Sequence, residues 1–270
     1  MSAGLTAGSA PRTLLGNRRL TWRGVARVWY RNLTIYKHTF KRNIVPNFFE
    51  PVFYLLSMGV GLGAYVAGVA DSYLAWVAPG LFAASAMNGA TFEVTYNVFV
   101  KTVFDRTYDA MLSTPLSVEE IAAGEIAWAV TRSLIYGVAF LVVMALFGLV
   151  HSPLALLSLP AALLIGLLFA GIGLTFTALN QQIDFYSFYY TLFLTPLFLF
   201  SEIFFPLERM PPVLRALAFI TPLYHAVRLC RALFLGTGLQ AALVSAVLIA
   251  VVALVMCALA IRLLRRRLVI

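Results

Sequence analysis

Charge is what this sequence has least of. Asp, Glu, Lys and Arg supply 11% of its 270 residues, less than half of the ~25% usual in soluble domains. With a mean hydropathy of +0.89, so few charges cannot clothe a water-facing surface, which excludes a soluble enzyme. Cysteine is scarce too. Cys230 and Cys257 stand far apart with no CxxC spacing, which excludes a disulfide-stapled secreted domain and a cysteine metal site; both read as small buried hydrophobes. The dipeptide Gly-Lys is missing, and with it any Walker A loop. HExxH, GxSxG and DDxxD are missing as well, and His38, His151 and His225 lie in separate regions. No alternating segments of about ten residues suggest a membrane β-barrel. Nor is a cleavable signal peptide expected, because the first 46 residues are polar and arginine-rich without an apolar core.

What the chain has instead is long apolar runs between short polar breaks. Six are long enough for a bilayer crossing of about 20 residues, near 50–69, 74–98, 126–150, 154–179, 186–206 and 239–261. The expected fold class is therefore all-α: a polytopic membrane protein with six transmembrane helices. The net charge of +9 is concentrated at the two ends. Nine of the 20 Lys and Arg residues precede residue 46, and Arg262, Arg265, Arg266 and Arg267 close the chain. By the positive-inside rule both termini are expected in the cytoplasm, and the basic excess reads as a topology and lipid-headgroup signal, with no nucleic-acid partner.

Two segments depart from simple spanning helices. Residues 207–238 carry Arg209, Arg215, Arg228 and Arg231 on the expected outer side. Pro206, Pro211, Pro212 and Pro222 break the segment into helices too short to span, so it reads as an outer re-entrant helical hairpin before the last span. Near the N-terminus, Val25, Val28, Trp29, Leu33, Tyr36 and Phe40 fall at helical spacing, while Arg19, Arg23, Arg27 and Arg31 step along another face. That is an amphipathic helix in the cytoplasmic interface, or a docking element for a partner. The organisation expected is a tail and connecting helix over 1–46, a six-span domain over 47–265 and a basic tail over 262–270.

Loop 99–125 mixes charges with a small amphipathic patch before Pro115, and Ser117-x-x-Glu120 forms a capping box for the next helix. Tyr108, Met111 and Leu112 could anchor this patch in a partner's groove; an ordinary solvated connection fits equally well. Glu93 and Arg132 are expected at equal depth in antiparallel spans. They read as an intramembrane ion pair, since a lone charge there is costly, or as polar groups on a pathway with Asn88 and Asn97. Gly59, Gly63 and Ala67 repeat at four in the first span, as do Gly166, Ala170, Gly173 and Thr177 in the fourth. Such faces suit packing within the chain or a homodimer seam. In the aromatic fifth span Tyr186, Tyr189 and Tyr190 fit an interfacial belt, or a lining for sugar rings or acyl chains.

These residues have a familiar order. Phe205-Pro206-Leu207, Met210-Pro211, Thr221-Pro222-Leu223 and Arg228 resemble the C-terminal signature of ABC type-2 transporter permeases. Thr91-Phe92-Glu93, Tyr96, Lys101, the run Arg106 to Leu112, Thr114-Pro115-Leu116 and Gly124-Glu125-Ile126-Ala127-Trp128 are similar to the lipo-oligosaccharide (nodulation-factor) exporter permeases of that group. So is Asn47-Phe48-Phe49-Glu50-Pro51 leading to Gly59-Val60-Gly61-Leu62-Gly63. The resemblance covers roughly 25–265. It implies a bacterial inner-membrane half-transporter: two permease copies, most simply a homodimer, and two copies of a separate ATPase that binds ATP and magnesium, leaving this chain without cofactor or catalysis. It would make Asp105, Arg106, Tyr108, Asp109, Met111, Leu112 and Pro115 part of a coupling helix, and the proline-broken hairpin a cap over the exit for an amphiphile. Two other readings stand beside the lipo-oligosaccharide exporter: a drug or antibiotic exporter of the same class, and an integral-membrane transferase acting on a lipid carrier. The acids Asp105, Asp109, Glu119, Glu120 and Asp184 form no set with catalytic spacing for the last.

Overall fold

The computed structural model describes residues 20–62, 70–207 and 211–269. Every regular element among them is helical: α1 (Trp22–Leu56), α2 (Ala70–Phe92), α3 (Thr107–Leu112), α4 (Val118–Leu146), α5 (Ser158–Leu179), α6 (Asp184–Phe188), α7 (Thr195–Phe200), α8 (Pro212–Ile220), α9 (Pro222–Leu235) and α10 (Leu239–Val269). Three helical stretches, Val118–Leu146, Pro153–Leu179 and Leu239–Leu268, are long and apolar enough to cross a membrane. The pair α8–α9, bent by 83°, would make a fourth as a broken span. This is an all-α polytopic membrane architecture. Gly63, Ala67 and Arg209 lie outside the described residues, and Gly59 falls in a π-helical stretch, Ser57–Leu62.

The bundle is organised around α5, which packs on α10 and α4, with α2 and α9 closing the core. Close approach is achieved with small residues. A Cβ on Gly166 would stand 2.5 Å from that of Ser133 on α4, and one on Gly171 2.8 Å from the Cys257 nitrogen on α10. On Gly173 it would meet Val94 at 2.6 Å, and the Thr177 hydroxyl donates to the Val94 carbonyl at 2.8 Å. The small-residue stripe of this helix therefore serves contacts within the chain. Cys230 and Cys257 are buried and free, as expected.

Several boundaries differ from the sequence reading. α1 is one 35-residue helix running through Pro46 and Pro51, so no break falls at residue 46. Val25, Val28 and Tyr36 of the expected apolar stripe are buried and the helix packs along α4, so this part of the stripe faces protein; Trp29 and Leu33 are half-buried and Phe40 is exposed. α4 begins eight residues before the expected span, because the capping box nucleates it: the Ser117 hydroxyl accepts from the Glu120 N–H at 3.2 Å while Glu120 Oε2 accepts from the Ser117 N–H at 2.8 Å. The expected fifth span is interrupted. Helical turns cover Asp184–Phe200, with a π-helical stretch at Tyr189–Leu194, and the chain then bends through Ser201–Phe205. Tyr186 and Tyr189 point inward, their rings 5.4 and 4.4 Å from that of Phe176, so these two are core residues and not a belt.

The proline-broken segment takes the expected form of two short helices. Pro212 and Pro222 occupy the first turns of α8 and α9, where a missing N–H costs nothing. Thr221, held extended (ψ 131°) by the proline after it, makes the corner. Gly236, at φ 72°, ends α9. Arg231 of this segment is buried: its guanidinium stacks 3.5 Å from the Trp76 ring centroid, lies 3.4 Å from Glu202 Oε2 and donates to the Glu202 carbonyl at 2.7 Å.

Candidate functional site

Charged and polar side chains converge at the end of the bundle where α1 and α4 begin. The helix continuing from α2 widens into two π-helical stretches, Glu93–Asn97 and Val100–Phe104, a geometry that often accompanies functional positions. Glu93, Asn97 and Lys101 follow at intervals of four and share one face. Asn97 Nδ2 donates to Glu93 Oε2 at 2.8 Å, and Lys101 Nζ reaches Glu93 Oε1 at 3.2 Å and Glu125 Oε2 at 2.8 Å. Asn32 of α1 donates to the same Glu125 oxygen at 3.0 Å. Glu125 is fully buried and Glu93 nearly so. Two buried carboxylates thus share one ammonium, each with one amide donor besides, which helps such charges persist away from water; Glu125 Oε1 has no hydrogen-bond partner among the described residues.

The expected pair of Glu93 and Arg132 is present but loose, Nε to Oε2 being 3.7 Å. The Arg132 guanidinium lies between the rings of Tyr36 and Tyr136, 4.6 and 5.4 Å from their centroids. Asn88 is not part of this group. It lines a separate small cavity with Glu50, Tyr54 and Ser85. Sequence reasoning passed over Glu125, Lys101 and Asn32 as members of the cluster. The spacing of Glu93, Asn97 and Lys101 was the available signal; the tertiary approach of α1 and α4 was not.

The loop expected to contact a partner folds against this cluster. Arg106, at φ 47°, turns the chain into the single-turn helix α3. Tyr108 and Met111 are buried, 1% and 7% exposed, so these two fasten α3 to its own bundle and are not presented to a partner's groove as expected. Burial, and after it the neighbouring Glu125 carboxylate, push the Tyr108 phenol's pKa well above its ordinary value, keeping it neutral. Leu112 is half-buried, whereas Asp105, Arg106, Asp109, Ser113, Thr114 and Pro115 form the exposed side, with Val103 and Phe104 beside them.

A second device joins α1 to α4. Glu120, which caps α4, also accepts through Oε1 from the Thr21 backbone N–H at 3.1 Å and from the Thr21 hydroxyl. Thr21 is itself the N-cap of α1, so one carboxylate ties the starts of two helices. Room for it comes from Gly24, where a Cβ would lie 2.2 Å from the Glu120 carboxyl carbon. One helical turn along, a Cβ on Gly124 would stand 2.5 Å from that of Val28. On the far side of the molecule, Arg228 is half-buried near Pro222, and Pro211 is exposed ahead of α8. Pro206 is half-buried beside the bend that contains Glu202 at φ 62°. No group of three His, Cys, Asp or Glu side chains suited to a metal occurs among the described residues.

Residues 23–235 match the family described as ABC-2 type transporter. Nodulation protein J of Rhizobium leguminosarum bv. viciae is 39% identical over 210 residues, 77% of this chain and 81% of the relative. Nodulation protein J of Rhizobium meliloti (strain 1021) is 35% identical over 219 residues, 81% and 83% of the two chains. The inner membrane transport permease YadH of Escherichia coli (strain K12) is 25% identical over 221 residues, 80% and 85% of the two. An apolar helical bundle with a buried charge cluster beneath a short exposed helix, matched over most of its length, places this chain in the ABC-2 type transporter family as one of its permeases.

Proposed function

We propose that this chain is the permease subunit of an ATP-driven exporter that carries a lipo-oligosaccharide or similar lipid-linked glycan outward across the bacterial cytoplasmic membrane. ATP and magnesium would bind to a separate ATPase, two copies serving two permeases, since this sequence has no P-loop. The observation that carries the reading is the extended similarity to the nodulation J proteins, about four-fifths of each chain at 34–39% identity in several species. The arrangement of α3 supports the division of labour. Its exposed side, with Asp105, Arg106, Asp109 and Pro115, takes the ATPase; its buried side, Tyr108 and Met111, transmits displacement to the cluster of Glu93, Lys101 and Glu125 and so to α1, α2 and α4 together. Both termini lie in the cytoplasm, and the bent pair α8–α9 caps the outer exit. A packed element with two discrete positions is what ligand-driven movement requires, and the π-helical stretches at Glu93–Asn97 and Val100–Phe104 supply a backbone that can shift register.

The test is a deletion strain. The account expects an amphiphilic glycolipid, resolved by mass spectrometry of lipid extracts, to build up in the cells and vanish from the medium, with both effects reversed by the wild-type gene. Unchanged glycolipid export, with a drug accumulating in the deletion strain instead, would replace this substrate class by the drug-exporter reading.

A further inference from the structure

A cavity of about 310 Å³ opens beside the charge cluster, between α1, the π-helical continuation of α2, and α4. That is the lower end of the range for small-ligand sites. Its polar walls include Arg31, Asn32, Glu93, Asn97, Lys101 and Arg132, with Tyr36 and Trp128 as aromatic faces. Hydrogen-bond accounting shows what such a wall lacks. The exposed Asp105 carboxylate also lines the cavity, but the buried acceptors are taken: Glu93 Oε1 by Lys101, Glu93 Oε2 by Asn97, and the Asn32 side-chain carbonyl by Arg31 at 3.3 Å. The donors are not. Arg132 is 7% exposed, yet its Nε and Nη1 have no hydrogen-bond partner among the described residues, and 3.7 Å from Glu93 is an ion-pair separation, too long for a hydrogen bond. Leaving a buried guanidinium with unused donors is costly. The rings of Tyr36 and Tyr136 meanwhile hold it in place. Arg31, half-buried and bonded through one nitrogen, adds further donors.

We propose that this cavity binds a tetrahedral oxyanion, the phosphate or sulfate class, with Arg132 as its buried donor and Arg31 closing over it from α1. Arginine's planar fork matches that geometry, and charged hydrogen bonds of this kind are the strong ones. Of the nearby carboxylates, Glu93 and the adjoining Glu125 are already balanced by Lys101 and Arg132, and the third, Asp105, is exposed, where solvent screens its charge. On the exporter reading the oxyanion is the acidic group of the amphiphile being carried; the cavity's demand for an acceptor-rich guest holds without that reading.

The full chain, purified in a neutral detergent, is titrated with phosphatidylglycerol, diacylglycerol and inorganic phosphate while thermal melting and native mass are followed. The expected result is one tightly held phosphatidylglycerol per chain, a raised melting temperature, and no such effect from diacylglycerol, which lacks the phosphate. Arg31→Gln and Arg132→Lys, both chosen to spare the fold, should each weaken this binding about tenfold, the loss expected for a charged hydrogen bond. Arg266→Gln, on the exposed basic end of α10, should leave it unchanged. Displacement of the lipid by millimolar phosphate would identify a free oxyanion site, and failure of phosphate to compete would identify a site for an amphiphile's headgroup; both support the cavity. Equal affinity in wild type, Arg31→Gln and Arg132→Lys, or an equal loss in Arg266→Gln, would overturn it. Co-purification of an ATPase, scored on the same preparations, separates this outcome from failure of the exporter reading.

Discussion

Lys101 carries the greatest energetic burden of any single residue here, since both Glu93 and Glu125 depend on it. Replacing it by methionine leaves Glu125 without its cation and Glu93 with only the looser Arg132, and breaking a buried pair in this way costs about 3–5 kcal/mol. Lys101→Met should therefore lower the unfolding temperature in detergent steeply, and adding Glu125→Gln should restore part of the loss. A variant as stable as wild type would mean the cluster is not closed as described. The sequence disclosed some of this arrangement. A charge in an apolar helix must find a partner, which pointed from Glu93 to Arg132, and the structure brings them to 3.7 Å. It did not disclose that Lys101 is the nearer partner, because that depends on π-helical widening between the two residues, which no propensity predicts. Nor could it show that Asn88 turns toward Glu50 instead.

At the scale of elements, the decisive contact is α1 on α4. The apolar stripe of α1 was legible from its spacing, but a stripe does not say whether lipid or protein covers it. Gly24 and Gly124 decide that, for each lets the other helix approach within the space of one Cβ. Gly124→Leu should push α1 away, at a cost of about 1–3 kcal/mol for overpacking, and expose α1 to limited proteolysis at Lys37; unchanged protection would contradict the packing. The capping box at Ser117 and Glu120 was read correctly, while its second task at Thr21 was not, being 99 residues away. Glu120→Gln is expected to weaken the starts of both helices by about 1 kcal/mol each, measurable as a lower melting temperature. Glu119→Gln, a half-buried neighbour paired with Arg265 at 2.8 Å, should cost under 1 kcal/mol.

For the whole molecule, low charge together with long apolar runs that do not alternate declared a polytopic helical membrane protein, because an 11% charged chain cannot clothe a water-facing surface. The number of crossings was less legible. Hydropathy treats 186–206 as one run, yet the π-helical stretch and the bend after Phe200 divide it. Prolines marked the bend between α8 and α9, since each fixes the residue before it as well as itself. Reporter fusions should find both termini protected in intact cells and accessible after lysis; an N-terminus reached from outside would reverse the proposed orientation. The central claim is that force enters through the exposed side of α3. A photo-crosslinking residue at Asp109, in the native membrane, should capture an ATPase bearing a P-loop, while the same residue at buried Met111 captures none. Capture of no ATPase from Asp109, in cells that still export the amphiphile, would contradict the account.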